Sequence, residues 1–180
     1  MFAKKRLIIF LVFIGIFSGA YSIGTESKLS DQETKDFIKE FQHTVEGIDA
    51  LGIFAHNTSV ALPMFIPGFG VAWGSFAAWS TGLAFHALVS TNPILGKLPP
   101  LALLYLSPFG VMELVAYSIG MSRSFLLINS ILKKQPLKIE LRKTAIEIGI
   151  VIALLLAAGF IEYSMIQQFG SSSVALKPKL

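Results

Sequence analysis

The chain has 180 residues, of which 53% are hydrophobic and 14% are charged. Because an ordinary soluble domain carries about 25% charged residues, this chain is short of polar groups to cover a water-facing surface. The same composition excludes disorder over most of the length. The absence of cysteine excludes disulfides, thiolate nucleophiles and cysteine-ligated metals. Composition and length therefore predict an integral membrane protein with one membrane domain.

Most of the charged residues behind the net charge of +4 lie in three blocks of alternating sign. Residues 4–6 are three cations, residues 26–49 hold seven acidic against three basic side chains, and residues 133–143 hold five basic and one acidic. No basic stripe is interleaved with aromatic residues, so nucleic acid is not expected as a partner. By the positive-inside rule, the two basic blocks belong on the cytoplasmic side of a bilayer and the acidic block outside.

The first apolar segment, Leu7–Thr25, has 19 residues without a charge. That length crosses a hydrocarbon core of ~30 Å. A cleaved signal peptide is the alternative, with a cleavage site after Ala20 or Ser22, but the apolar stretch is longer than a typical signal-peptide core. We therefore expect residues 1–24 to be a membrane anchor. Gly15 and Gly19 within it form a GxxxG pair, a possible helix-contact face.

Residues 25–50 are predicted to form an extracytoplasmic amphipathic helix with an acidic face. Ser30 and Glu33 match a capping box, in which each side chain satisfies a backbone amide at the helix start. Apolar residues follow at helical spacing: Phe37, Ile38, Phe41, Val45, Ile48 and Leu51. Its negative charge argues against anionic lipid as the partner of this helix.

Ala50–Gly96 is a run of 47 residues without Asp, Glu, Lys or Arg. As one helix it would be ~70 Å long, over twice the core thickness, so it must fold back. The turn signal at Pro67–Gly70 divides it into spans over about 51–66 and 71–91. Small residues then recur every four positions and are expected to let another helix approach closely: Gly70, Gly74, Ala78 and Gly82. His86 continues this stripe and should face protein.

The rest of the chain predicts two further spans. Residues 98–107 are expected to form a short interfacial or re-entrant piece, after which Ser107 and Pro108 start a span over 108–130. Residues 144–166 form the last span. Counting the anchor gives an all-α polytopic bundle of about five transmembrane helices. Its expected parts are the anchor at 1–24, the acidic helix at 25–50, the membrane bundle at 51–166 and a polar tail at 167–180.

This topology predicts a multi-pass cell-membrane protein with a cytoplasmic N-terminus.

Ionisable side chains inside a membrane cost roughly 2.5–3.5 kcal/mol each and usually mark function. Glu113, Glu162, Arg123 and His86 are such groups, with Asn57 at the entrance of a span. Glu113 is either an ion or proton site or a structural carboxyl bonded to an adjacent helix. Glu113 and Arg123 are ten residues apart and do not meet on their own helix.

The sequence contains no motif for an enzyme. The three histidines lack HxH or HExxH spacing, and GxSxG, Walker and GxGxxG motifs are absent. We therefore expect no catalytic, cofactor-binding or metal-ligating residues. The sequon at Asn57–Ser59 is more typical here of a helix-capping or inter-helix polar role than of glycosylation.

The order of four motifs resembles the stage II sporulation protein M family over residues 50 to 166, and more loosely over the anchor. The motifs are Phe54–Asn57, Gly68–Gly82, Ser107–Leu114 and Ala157–Glu162. The resemblance places the following residues at motif positions: Asn57, Gly82, Pro108, Gly110, Glu113 and Glu162. Phe109 stands where the family usually has histidine, which weakens any idea of a histidine–glutamate proton or metal site, and His56 stands where a first asparagine is common.

The resemblance implies a small multi-span protein, and the sporulation member is regarded as a scaffold of a peptidoglycan-remodelling assembly. We therefore expect a non-enzymatic scaffold or accessory subunit that contacts the lipid bilayer and other integral membrane proteins. One alternative is a solute or ion transporter or channel that uses Glu113 and Glu162. A further alternative is a structural subunit of a membrane oxidoreductase, such as a copper membrane monooxygenase.

Overall fold

The structure, a computed structural model of the chain, describes residues 2–27, 29–45, 47–91 and 99–174. Over these residues it consists of α-helices and one 3-10 turn, without a β-strand, which confirms the all-α class. In chain order the elements are α1 (Phe2–Glu26), α2 (Asp31–Val45), α3 (Ala50–Ala61), the 3-10 turn (Leu62–Phe65), α4 (Phe69–Thr91), α5 (Ala102–Leu106), α6 (Pro108–Leu132) and α7 (Leu137–Val174).

Three helices in the described part of the chain are long and apolar enough to cross a membrane, so the expected count of about five is not confirmed. They lie at Lys4–Glu26, Pro108–Leu132 and Leu137–Gln168. The helix α3 has only 12 residues, or ~18 Å, because the 3-10 turn interrupts it. The helix α4 has 23 residues, but its glycine, serine, threonine and tryptophan residues lower its mean hydropathy.

Helix starts follow the capping residues. The Ser107 hydroxyl accepts a hydrogen bond from the Gly110 amide at 3.0 Å, with Pro108 at the first helical position. At α2, the Ser30 amide donates to the Glu33 carboxylate at 2.9 Å and the Glu33 amide donates to the Ser30 hydroxyl at 3.3 Å. These are the two caps that the sequence predicts.

The small residues of α4 pack against neighbouring segments of the same chain. A Cβ at Gly82 would overlap the backbone carbonyl of Tyr21 on α1, and one at Gly24 would overlap the carbonyl of Trp79 on α4. The two helices therefore touch backbone to backbone, as small-residue interfaces do in membranes. Ala78 on the same stripe is fully buried.

The N-terminal part of the α4 stripe, Gly70 and Gly74, packs on the 3-10 turn and on α6. A Cβ at Gly70 would overlap the carbonyl of Met64 in the 3-10 turn, and one at Gly74 would overlap the side chain of Met121 on α6. Helix α6 is the centre of the bundle, because it contacts α1, α4 and α7. Its inner face is correspondingly small and polar, with Ser118, Ser122 and Ser124 fully buried.

The features that the predicted topology assigns to the cytoplasm lie at one end of the bundle. The Ser124 hydroxyl near the end of α6 donates to the carbonyl of Ile66 at 2.5 Å, so the turn after α3 lies beside the last turns of α6. Arg6 contacts Ser122 at the same level. The N-terminus, this turn and the connection from α6 to α7 therefore share one end, as expected; its assignment to the cytoplasm stays a prediction.

Several segments differ from the sequence-based boundaries. Helix α2 covers only Asp31–Val45 of the expected 25–50, α3 ends five residues before the expected 66, and α7 begins seven residues before the expected 144. Helix α7 has 38 residues, ~57 Å, and runs eight residues beyond Ile166, so the predicted polar tail begins as helix. Of the expected re-entrant piece at 98–107, only the five-residue α5 is helical. Residue 98 lies outside the described residues, as do 175–180 of the tail.

Candidate functional site

Two groups of polar side chains lie between the long helices, one toward each end of the bundle. The first, the polar cluster, consists of Asn57, Glu113, Tyr117 and Glu162. Asn57 is 8% exposed, and its amide Nδ2 donates to Glu113 Oε1 at 2.6 Å. This bond joins α3 to α6, two helices whose sequence positions here are 56 residues apart.

Glu162 and Tyr117 complete the polar cluster. Glu162 on α7 interacts electrostatically with the Glu113 carboxyl, and both carboxyls act on the Tyr117 phenol. Tyr117 is one helical turn after Glu113 and stacks on Phe17 of α1, with ring centroids 5.6 Å apart. The cluster therefore collects side chains from α3, α6 and α7 and borders on α1.

The chemistry of the polar cluster follows from two carboxyls, on α6 and α7, that lie within electrostatic range of each other. Two neighbouring carboxylates repel each other and need a proton, a cation or hydrogen-bond donors to compensate them. The Asn57 amide is one such donor. No group of three or more His, Cys, Asp or Glu within the described ranges is arranged to hold a metal ion. The cluster is suited to joining helices and to holding a proton or a cation.

The second group, the charge network, is centred on Arg123 and Glu147. Arg123 is 2% exposed, and its Nε and Nη2 donate to the two oxygens of Glu147 at 2.7 and 2.5 Å. Its Nη1 donates to Glu140 at 2.8 Å. Such paired contacts of a guanidinium with carboxylates are the strong form of a charged hydrogen bond.

Arg6 binds the same carboxylate from the other side. Its Nε and Nη2 donate to the Glu147 oxygens at 3.0 and 3.1 Å, and its Nη1 donates to the Ser122 hydroxyl at 2.8 Å. Glu147 therefore lies between two guanidinium groups and joins α1, α6 and α7. Lys143 extends the network to the surface through Glu140, at 2.7 Å.

The remaining predicted residues have structural contacts. His86 faces α1, with Nδ1 2.8 Å from the carbonyl oxygen of Thr25. Pro108 is the first residue of α6 and is exposed. Gly110 is the third residue of the same helix and is buried. His56, the neighbour of Asn57, is exposed.

Sequence reasoning singled out Asn57, Glu113 and Glu162 separately, and the structure brings them together. It did not single out Tyr117, although its spacing of four from Glu113 places both on one helical face. It also treated Arg6 only as part of the N-terminal basic block. The partners of Arg123, Glu140 and Glu147, both come from α7, and no spacing within α6 indicates them.

A family model described as stage II sporulation protein M matches residues 8–163 of the chain. The match includes the polar cluster, Arg123, Glu140 and Glu147, and leaves out Arg6. No curated protein and no solved structure matches the chain.

Proposed function

We propose that this chain, which belongs to the stage II sporulation protein M family, is a non-enzymatic integral membrane scaffold or accessory subunit of a larger membrane complex. The observation that supports the proposal is a contrast between the glycines of two helices. Those of α4 pack against this chain's own backbone and side chains, whereas Gly15 and Gly19 on α1 do not. No described atom lies within 4 Å of a Cβ built at either position, apart from α1 itself.

The open glycines are part of a continuous apolar face of α1. Ile8, Val12 and Ile23 on this face are 61%, 53% and 65% exposed. Their spacing with Gly15 and Gly19 places the five residues on one side of the helix. A lipid-facing helix has no need of paired glycines, but a helix that another helix approaches closely does. The face therefore fits a transmembrane helix of a partner protein.

The interior of the bundle fits a structural role as well. Arg123 and Glu147 hold three helices together through direct hydrogen bonds, and Asn57 and Glu113 join a fourth. Helices joined by such hydrogen bonds provide a stable surface on which partners assemble.

Site-specific photo-crosslinking in native membranes tests the proposal. A photoreactive residue at position 15 or 19 is expected to yield an adduct with a second polypeptide, which mass spectrometry identifies. Gly149 on α7 is the matched control, because it is an exposed helical glycine that also faces open space. Equal labelling at 149 and at 15 and 19, with lipid adducts alone, would contradict the scaffold.

The transporter or channel remains a second candidate because the polar cluster brings Glu113 and Glu162 together between α6 and α7. Under this alternative a solute ion or a proton binds the paired carboxyls. Ion flux in proteoliposomes distinguishes the two functions: Glu113→Gln should abolish flux by a transporter. Unchanged flux in the variant, relative to the wild-type chain, removes this candidate.

A third candidate is a structural subunit of a membrane oxidoreductase, such as a copper membrane monooxygenase. It has the same docking geometry as the scaffold, so the partner's identity decides between them. A crosslinked partner with redox cofactors would favour this candidate, and a partner from an envelope-remodelling assembly would favour the scaffold.

A further inference from the structure

A cavity of about 550 Å³ opens beside the charge network, at the end of the bundle that carries the basic blocks. Its floor is one face of α6, since Arg123, Ser130 and Lys133 lie at helical spacing along it. The start of α1 and the first turns of α7 form its walls. Its volume is within the range of small-molecule and cofactor sites, about 300–1,000 Å³.

The lining of this cavity is strongly cationic. Five basic side chains and two carboxylates face it. The two carboxylates, Glu140 and Glu147, already accept hydrogen bonds from Arg6, Arg123 and Lys143.

The other two basic residues that line the cavity, Lys5 and Lys133, have no carboxylate partner among the described residues. Two unpaired ammonium groups beside a network that already has both carboxylates engaged create a site for an anion. The neutral side chains of Asn129 and Gln135 add amide donors to the same lining.

Apolar residues extend from the charged lining along the bundle. Ile146 and Ile150 line the cavity and are 57% and 47% exposed. Leu7 and Leu11, directly after the basic residues of α1, are 56% and 53% exposed. A ligand that places a negative group among the lysines therefore has apolar helix surface beside it in the direction of the membrane core.

We propose that this cavity binds the phosphate-bearing headgroup of an anionic phospholipid, with its acyl chains along the exposed residues of α7. The geometry combines cations with an adjoining apolar surface at the level where helices of this composition enter a bilayer. Free inorganic phosphate would satisfy only the charged part of the lining, so the lipid is the ligand that fits both parts.

Native mass spectrometry of the full-length chain in detergent tests the proposal with phosphatidylglycerol and phosphatidylcholine as probes. The lining variant Lys5→Gln/Lys133→Gln should bind phosphatidylglycerol about thirtyfold more weakly than the wild-type chain, because each of the two lysines contributes about fivefold near an anionic headgroup. The control variant Lys4→Gln/Lys138→Gln removes the same charge from exposed positions outside the cavity and should change binding less than about twofold.

Three results would overturn the lipid site: equal binding of the two lipids, equal losses in the two variants, or displacement of phosphatidylglycerol by millimolar inorganic phosphate. The last result would assign the cavity to a free anion instead. Because neither Lys5 nor Lys133 pairs with a carboxylate among the described residues, their substitution leaves no carboxylate without a partner, and the fold should persist. Thermal unfolding of the variant checks this. If the variant unfolds, the comparison of phosphatidylglycerol with phosphatidylcholine on the wild-type chain still decides whether the chain prefers an anionic phospholipid.

Discussion

Glu147→Gln tests whether the charge network holds the bundle together. The substitution leaves Arg123, which is 2% exposed, with Glu140 as its remaining carboxylate, and it leaves Arg6 with the Ser122 hydroxyl. Removal of one partner from a buried ion pair costs about 3–5 kcal/mol. Because Glu140 still compensates part of the Arg123 charge, we expect the lower end of this range, about 3 kcal/mol. For a chain of this size that loss corresponds to a decrease in Tm of about 6–12 °C.

Thermal unfolding of the purified chain in detergent measures this effect, with Lys143→Gln as the matched control. Lys143 is 51% exposed and pairs with Glu140, three residues earlier on α7. Its removal should therefore lower the free energy of unfolding by about 0.5 kcal/mol and the Tm by ~1–2 °C. The double variant Arg123→Met/Glu147→Met should lose less than the two single variants together, because it removes the Arg123 guanidinium along with its main carboxylate. A Tm for Glu147→Gln within 2 °C of wild type, or the same decrease in the control, would refute the reasoning.

Three further predictions follow from the packing and the caps. Gly82→Ile should destabilise by about 1–3 kcal/mol or more, because its side chain overlaps the backbone of α1; Gly149→Ile, at an open position, should leave the Tm within about 1 °C. Asn57→Leu should lower stability by about 1–3 kcal/mol in the same unfolding assay, because a buried carboxyl loses its donor. The hydrogen bonds from Ser30 lower the pKa of Glu33, so the cap at α2 is complete above the ordinary glutamate pKa and is lost as the pH falls through the lowered value. An NMR titration should show the Glu33 pKa rising toward its ordinary value in Ser30→Ala, and an unchanged pKa would contradict the cap.

Local signals in the sequence predicted the starts of α2 and α6. The serine caps and the proline at position 108 act within one turn of the chain, so their consequences are visible in the sequence. The turn signal at Pro67–Gly70 lies at the start of α4, after the 3-10 turn that follows α3, and Gly68 there has a φ of 78° that favours glycine. The stripe of small residues on α4 includes Gly82, where α4 and α1 touch backbone to backbone.

The count of spans and the long-range pairs could not be predicted in the same way. Hydrophobicity alone does not distinguish a full span from α3, which ends in a 3-10 turn around Pro63 after 12 residues. Arg6 and Glu147 are 141 residues apart, and only the packing of α1 and α7 on α6 brings them together. The Asn57–Glu113 bond likewise depends on the angle at which α3 crosses α6, for which no sequence spacing gives a signal.

The central claim is that this chain assembles with other membrane proteins through the open face of α1. The most direct measurement is the particle mass after gentle extraction of the tagged chain from its native membranes, by mass photometry with mass-spectrometric identification of the components. We expect particles that contain a second polypeptide, lost in Gly15→Leu/Gly19→Leu and retained in Gly149→Leu. A monodisperse particle with one 19.6 kDa chain and detergent would contradict the claim.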